Sequence, residues 1–530
     1  MVWIRSRILL GLALGVFLLG CDKTTPHLEK SYGDTLAIVT YHAPTGINPL
    51  TSVSGISSLL TEVLFDGLVR IDEKLEARPS LASSWQTSDD GLKWTFYLRR
   101  GVKFHDGVEF TAEDVQFTLE EIITLSKPLS LTLSSLTDLI NSIQIKDKYT
   151  IEIFLNRPSM SFIYSMGAGI LPAHLLKGKV SQEAFGSQPV GTGPFMFSQW
   201  KESEIVFEAN KDYFQGRPHL DRVLVKIYPN QKLAWAKLMR GEGDLFYPIE
   251  PAVYDFLKQV SSLQLYKVHD IYYSMIVLNN NSELFHDRRV RVALNYAIDK
   301  EYIIQDELKG KGSVAASPLW RGSWAYNPSV KPYPYDPQKA LSLLKEAGWR
   351  DTDGDHLLEK DGGKFTFTLF INEGDETKRH AAMYIQQQLW ELGILMDIRT
   401  FSTESMEFLF QGRFDAIFLE IDSHIYPDFS YNIWHSSQIH KGLNVGRYRS
   451  DIIDELLEKG RLSGEADSAR PIYFRFQEEI HDNPPGIFLY WADNFMGVHR
   501  RFRGLRIPPL TLMGFINEWY VPEEEQKYKR

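Results

Sequence analysis

Residues with chemical potential are sparse in this chain and poorly spaced for catalysis. Its 14 histidines are scattered without metal-ligand spacing. No nucleophile elbow, Walker A loop or His-Glu-x-x-His pair is present. His42, His105 and His424 could each touch a ligand, although a solvated or core-satisfied histidine is the commoner role for any one of them. Asp351-Thr352-Asp353-Gly354-Asp355 sets three carboxylates at alternate positions, which could supply oxygen ligands to calcium. A calcium loop starting at Asp351 needs glycine at its sixth position and glutamate at its twelfth, where the chain has His356 and Gly362. The stretch is read as a turn, and no metal or cofactor is assigned. No acid–base pair can be assembled, so the chain is not read as an enzyme, and a hydrolase is the weakest of the rival readings.

The single cysteine has a different chemistry. Arg5 and Arg7 open the chain, Ile8 to Leu19 form an apolar stretch, and Leu18-Leu19-Gly20-Cys21 follows, which resembles the bacterial lipobox. Residues 1–20 are thus expected to be a signal peptide, and Cys21 the site of lipidation. A lipid anchors by burying acyl methylenes, at about 0.8 kcal/mol each. Asp22, directly after Cys21, resembles the signal that retains lipoproteins on the inner membrane of some bacteria. One cysteine excludes a disulfide framework and cysteine-rich metal sites. Stability must then come from a large core, and 530 residues with a 43% apolar fraction can build one in two to four domains. The formal charge of −10 becomes −12 when Arg5 and Arg7 are removed. Without a basic run, such a chain is a poor nucleic-acid binder.

The elements that position these residues alternate between strand and helix. In Lys93-Trp94-Thr95-Phe96-Tyr97-Leu98-Arg99 apolar residues recur at every second position, and Val102, Phe104, Val108 and Phe110 continue the pattern around an Asp106-Gly107 hairpin signal. Thr111-Ala112-Glu113-Asp114 reads as a capped helix start, with Val115, Thr118, Leu119, Ile122 and Ile123 as the buried stripe. Helices are also expected after Asp287, on Val290, Ala293, Leu294, Ala297 and Ile298, and after Ser450, on Ile453, Leu456 and Leu457 with Gly460 as the C-terminal cap. Intermixed strands and helices imply α/β or α+β domains.

The longest ordered string runs Leu81-Ala82-Ser83-Ser84-Trp85, Ser88-Asp89-Asp90-Gly91-Leu92-Lys93-Trp94-Thr95-Phe96, Leu98-Arg99-Arg100-Gly101-Val102-Lys103-Phe104-His105-Asp106-Gly107 and Phe110-Thr111-Ala112-Glu113-Asp114-Val115. It is followed in order by Gly191-Thr192-Gly193-Pro194-Phe195, Asn210-Lys211-Asp212-Tyr213-Phe214, Gly241-Glu242-Gly243-Asp244, Leu278-Asn279, Asp287-Arg288-Arg289-Val290-Arg291, Gln477-Glu478 and Pro484-Pro485. This series resembles the family 5 extracellular solute-binding proteins of ABC importers, whose members bind oligopeptides, dipeptides, nickel or oligosaccharides. The resemblance implies an α/β, two-lobe periplasmic-binding-protein fold (type II, large form) with an additional domain. It divides the chain into a tether over 21–34, a discontinuous lobe I from 35–65, 190–270 and 490–530, the additional domain over 66–189 and lobe II over 271–489. Asp89, Asp90, His105 and Asp106 then fall in scaffold, as turn and cap chemistry.

The resemblance implies capture without chemistry: a small solute, a peptide before an oligosaccharide or nickel chelate, held between the lobes by a monomer and delivered to a permease complex. The protein would be exported to the periplasm or cell surface and held to the membrane through Cys21. A sensory or chaperone-like lipoprotein of the same fold is the rival. Candidate ligand contacts are Tyr41 and His42 after the first strand, Tyr272 and Tyr273 at the lobe crossover, and Asp422, Tyr426 and Trp434. In peptide-binding relatives an aspartate just before the Tyr-Pro pairs with the peptide α-ammonium; Ile425 stands there in this chain, and Asp422 lies three residues earlier. A buried ammonium without a carboxylate is penalised by several kcal/mol, so Asp422 must supply the charge or the ligand lacks a free amine.

Overall fold

Strand Thr35–Thr40 is buried at every position, as the interior of a sheet covered on both faces requires. It pairs in parallel with Arg222–Ile227 on one side and Leu245–Ile249 on the other. The computed structural model describes residues 30–528 apart from 45, 53–54, 125–130, 179–181, 269–270, 403–405, 424–425 and 509–510. Cys21, His424 and Ile425 lie outside the described residues.

Three larger sheets organise the chain. A seven-stranded sheet runs Leu263–Val268, Asn494–His499, Leu245–Ile249, Thr35–Thr40, Arg222–Ile227, Glu204–Ala209, Phe195–Lys201. A six-stranded sheet runs Gly312–Val314, Gly486–Ala492, Tyr272–Leu278, Ala416–Asp422, Thr366–Asn372, Leu395–Phe401. A four-stranded antiparallel sheet is built from Ala82–Thr87, Lys93–Leu98, Thr150–Leu155 and Ile140–Asp147. The four-stranded sheet shares one apolar core with a face of the seven-stranded sheet, so Phe96, Phe110 and Val115 belong to the same cluster as Leu36, Ile38 and Phe207. The six-stranded sheet is covered on both faces. Ile276, Val290, Leu294 and Leu369 fill one layer, and Tyr273, Met275, Ile453 and Tyr473 fill the other.

Local chemistry explains most element boundaries. Helix Ala112–Thr124 starts where the Thr111 hydroxyl accepts from the Glu113 amide at 3.3 Å and the Asp114 carboxylate accepts from the Thr111 amide at 2.8 Å, a reciprocal cap. Helix Arg288–Tyr296 is capped by Asp287, and Asp451–Leu462 by Ser450. Two details differ from the sequence expectation. The Asp106-Gly107 hairpin closes with a single bridge, Lys103 to Glu109, and Val108 faces solvent at 43% exposure. Its strands are short because Lys93–Leu98 finds its partners elsewhere, in Ala82–Thr87 and Thr150–Leu155. Gly460 does not end its helix, which continues to Leu462; a Cβ there would meet the Tyr473 ring at 2.6 Å, so glycine permits the helices Asp451–Leu462 and Ala466–Asp482 to touch. The left-handed residue after the helix is Gly464, at φ +59°.

The body carrying the seven-stranded sheet draws on segments far apart in sequence, and one buried ion cluster joins them. The Arg501 guanidinium pairs with Asp34 and, at 2.8 Å, with Asp244, and donates to the Thr35 carbonyl at 3.0 Å. Asp244 also accepts from the Ala37 amide at 3.0 Å, and Asp34 from the Lys527 and Tyr528 amides at 3.0 and 3.1 Å. All three side chains are 3% exposed or less. In the other body Lys300 is buried with its ammonium donating to the Asn295 carbonyl at 3.0 Å, and among the described residues no carboxylate pairs with it. Burial pushes its pKa down to about 7.

Two stability predictions follow from these groups. Arg501→Met leaves buried Asp34 without a cation and Asp244 with only the Lys527 ammonium at 3.3 Å, and should cost about 3–5 kcal/mol in urea denaturation; a loss under 1 kcal/mol would show that the cluster does not hold the segments together. Between pH 7 and 10.5 the unfolded chain keeps a proton on Lys300 that the folded chain has lost, so this group makes stability rise with pH across that window. Below pH 7 its cost is complete. Lys300→Met should therefore flatten the rise between pH 7 and 10, and an unchanged slope would mean that Lys300 is charged when folded.

Candidate ligand-binding cleft

The two large sheets are connected end to end. Leu263–Val268 leads through residues 269–271 into Tyr272–Leu278, and Gly486–Ala492 returns through Asp493 into Asn494–His499. A Lys267–Asp493 ion pair at 2.6 Å links the two crossings. Register fixes which sheet ends face the crossings. In the seven-stranded sheet Asn494 pairs with Val268, Phe495 with Ile249, and Val39 with Phe246, so Thr40 and the following Tyr41 lie at the crossing end. In the six-stranded sheet Tyr272, the first residue after the crossing, pairs directly with Asp422. The structure thus brings the two sets of sequence-selected residues to opposing ends of two sheets joined by two crossings.

On the six-stranded side the selected residues separate into a surface and a layer beneath it. Tyr272 is 43% exposed and Asp422 half-buried, while Tyr273 has no exposed surface. The Tyr273 ring packs on Phe488 and Trp491, with centroids at 5.7 and 5.2 Å. Burial and then the Asp422 charge push its hydroxyl well above the usual tyrosine range, with the Trp434 indole acting in the opposite sense. Trp434 is itself buried, against Phe488. Tyr273 and Trp434 therefore support the wall, and Tyr272 and Asp422 form it. The Ser423 hydroxyl accepts from the Trp320 amide at 2.7 Å, and the Ser423 amide donates to the Ile271 carbonyl at 2.7 Å, which ties the 320 loop to the same wall.

On the seven-stranded side Tyr41 and His42 lie against each other, ring centroids 4.0 Å apart, and the Tyr41 ring stacks on Phe246 at 6.4 Å. Burial and then the Glu250 charge raise the Tyr41 hydroxyl pKa. His42 is exposed.

Sequence reasoning missed a third wall. Tyr426 is buried because its ring lies on Tyr164, centroids 3.8 Å apart, and the Ser161 hydroxyl donates to the Asp428 carboxylate at 2.6 Å. Met160 packs against the core layer that contains Tyr273 and Trp434. The 160–164 segment follows the four-stranded sheet, so this small body touches the six-stranded one directly. No spacing or composition signal points to such a contact, because its halves are more than 260 residues apart.

The conspicuous sequence motifs meet elsewhere, in a joint between the small body and the seven-stranded body. His105 bridges residues 191–193: its Nε2 donates to the Gly193 carbonyl at 3.0 Å and its Nδ1 accepts from the Gly191 amide at 3.2 Å. Burial lowers its pKa to about 4, so it is a neutral strut near pH 7. Gly193 is required there, since a Cβ would sit 2.4 Å from the Leu64 carbonyl carbon. The Tyr213 hydroxyl and Thr192 hydroxyl both donate to Asp66, at 2.8 and 3.0 Å. Asp351, Asp353, Asp355 and Glu359 do come together, but Lys364 reaches both Asp353 and Asp355, and Asp351 accepts from the Gly354 and His356 amides, as an acidic turn does.

Comparison with known proteins agrees with this architecture. Residues 76–441 match the bacterial extracellular solute-binding proteins, family 5, middle region. The chain is 33% identical to the oligopeptide-binding protein AppA of Bacillus subtilis, over 96% of this chain and 97% of AppA. The structure of that AppA in complex with a nonapeptide superposes with a TM-score of 0.80 at 32% identity, covering 93% of this chain and all of AppA. NikZ of Campylobacter jejuni in complex with Ni(L-His) superposes with a TM-score of 0.79 at 29% identity, over 92% of this chain and 99% of NikZ.

The third wall makes a measurable prediction. An aromatic pair contributes about 0.5–1.5 kcal/mol and a hydrogen bond to a carboxylate about 1.5–3 kcal/mol, comparable with the gap between open and closed states. Ser161→Ala with Tyr164→Ala should increase the radius of gyration of the ligand-free chain in small-angle scattering. An unchanged radius would mean that these contacts do not hold the bodies together.

Proposed function

Because this chain belongs to the bacterial extracellular solute-binding proteins, family 5, we propose that it is the substrate-binding protein of an ABC importer and that its solute is a peptide. The reading rests above all on one observation: Asp422 stands opposite exposed Tyr272 at the sheet end that faces the two crossings. A carboxylate there meets the need of a peptide α-ammonium, which loses several kcal/mol on burial if left unpaired. Full-length likeness to an oligopeptide-binding protein supports the same ligand class. Among the described residues no helix is long and apolar enough to cross a membrane. The apolar leader and Cys21 support export and lipid attachment.

The body with the seven-stranded sheet is lobe I, the one with the six-stranded sheet is lobe II, and the four-stranded sheet belongs to the additional domain. Tyr41 and His42 line one side of the cleft and Tyr272 and Asp422 the other, while Tyr426 is covered by the Tyr164 ring and belongs to the contact with the small body. Tyr273 and Trp434 hold the second side from behind. Solute binding needs no bond making. A ligand that touches both sides binds the closed form better than the open one, and only that difference moves the equilibrium. Shifting it from 1:99 to 99:1 takes about 5.5 kcal/mol of differential affinity, within reach of one ion pair plus main-chain hydrogen bonds.

A thermal-shift series on the chain from Asp22 onward tests both parts. Di- to pentapeptides at about a hundred times their Kd should add about 2.7 kcal/mol of stability. Asp422→Asn should abolish the shift for peptides with a free amine. N-acetylated peptides should be weak ligands of the wild type and indifferent to the substitution. Shifts confined to oligosaccharides or nickel chelates would refute the peptide reading while leaving the importer role intact.

A further inference from the structure

A second concavity, of about 690 Å³, lies between the four-stranded body and the end of the seven-stranded sheet where Thr35–Thr40 and Arg222–Ile227 begin, the end opposite the one that carries Tyr41 and the crossings. Its chemistry is basic although the whole chain is acidic. Lys30, Arg70, Arg99 and Arg217 line it, against one carboxylate, Glu518, which Arg506 already engages at 3.2 Å. Arg217 pairs with Asp221. Among the described residues, Lys30, Arg70 and Arg99 have no ion-pair partner, although Asp66 lies near enough to Arg70 to feel its charge.

The side chains are held in place without being satisfied. Arg70 donates one Nη to Gln215 at 2.7 Å and lies over the Phe515 ring at 4.4 Å; Arg99 donates Nε to the Ser80 carbonyl at 2.6 Å; Arg217 lies over the Tyr32 ring at 4.8 Å. Yet Arg70 Nε, Arg217 Nε and His219 Nδ1 are buried and lack a hydrogen-bond partner among the described residues. Buried donors left unmade are costly, and two unmatched guanidinium N–H groups around one cavity point to a ligand that accepts hydrogen bonds and carries negative charge. Guanidinium forks match phosphate oxygens best.

Position identifies the source of the phosphate. Lys30 is on the rim, and it lies nine Cα–Cα steps along the chain from Cys21, a reach of at most about 30 Å. If Cys21 carries lipid, as proposed above, this face lies within that distance of the bilayer. We propose that the Lys30–Arg70–Arg99–Arg217 cavity binds the phosphate of an anionic phospholipid headgroup and so sets how the tethered protein stands on its membrane. Basic groups near such a surface gain affinity that salt screens.

The test uses the unlipidated chain from Asp22 to Arg530, which keeps every described residue and reads headgroup binding independently of Cys21; mass spectrometry of the exported protein reads the lipid itself. Co-sedimentation with phosphatidylglycerol–phosphatidylcholine vesicles should exceed that with pure phosphatidylcholine at least tenfold at 50 mM salt and fall toward it at 0.5 M. Arg70→Gln with Arg99→Gln should remove the excess, while Arg379→Gln with Arg475→Gln, exposed basic residues elsewhere, should keep it within twofold. Lys30→Glu, on an exposed rim residue with no packing to lose, should weaken binding at least threefold and guards against misfolding of the double variant. Equal binding to both vesicles, or binding that survives the cavity substitutions, overturns the proposal. A thermal shift by glycerol phosphate that needs Arg70 and Arg99, without vesicle binding, overturns the lipid assignment in favour of a free phosphate ligand.

Discussion

The fold depends on closing one body from chain segments that are hundreds of residues apart, and the buried Arg501 guanidinium is where that closure is made. Asp34 precedes the first strand, Asp244 opens Leu245–Ile249, and Arg501 follows Asn494–His499. Each carboxylate alone would be too costly to bury. Together with Arg501, the Lys527 ammonium at 3.3 Å from Asp244 and five backbone partners, the charges are satisfied in this arrangement of the segments. An apolar cluster of equal size would tolerate a slipped register; an ion cluster with this many directed bonds would not. The intervening chain, residues 271–492, is then free to fold as a separate unit entered and left at one place, three residues longer than the sequence division at 489 because Gly486–Ala492 is one strand of its sheet.

That topology determines where a ligand can go. Two crossings at one edge make a hinge, and the sheet ends beside it are the surfaces that approach on closing. Lys267 and Asp493 brace the crossings, and on the proposed reading Tyr41 and His42 belong to one side of the cleft and Tyr272 and Asp422 to the other. The Tyr164–Tyr426 and Ser161–Asp428 contacts lie on a third body fused to lobe I through a shared core, so they report the position of lobe II relative to a rigid pair. Their combined strength of a few kcal/mol is small enough for reversible opening and large enough to bias it.

Much of this was legible because local rules agree with global ones. Most periodic positions of the three expected helices are buried, with Ile123 and Leu456 only partly so and Ala297 and Ile298 just past the helix end at Tyr296, and their Thr111, Asp287 and Ser450 starts are real caps. What local rules could not reach was pairing. Nothing near Gly460 signals the Tyr473 ring that occupies the space a Cβ would need, so a packing glycine reads as a cap. Strand-like alternation through Val108 did not reveal that Lys93–Leu98 takes its partners from 82–87 and 150–155. The same limit applies to the site. Tyr272 and Tyr273 are adjacent, yet period two sends one to the surface and the other into the core, and only knowing which face is covered tells them apart.

Net charge shows the same limit in electrostatics. A total of −10 with no basic run argues against a nucleic-acid partner, because such partners need many phosphates neutralised along a line. It says nothing about a single anion, which needs only two or three converging guanidiniums. Arg70, Arg99 and Arg217 are spread over nearly 150 residues of sequence and acquire a common field only when the four-stranded body packs beside one end of the seven-stranded sheet. The shared core that carries Phe96 and Phe207 is therefore what assembles the basic cavity, while the proposed cleft depends on the two connections between the large sheets. The same body is thus used on two sides: one works by moving relative to lobe II, the other by being rigidly fixed to lobe I. A charged cavity that must orient the molecule belongs on the rigid side, because a site that opened and closed with each solute would release its anchor at every cycle.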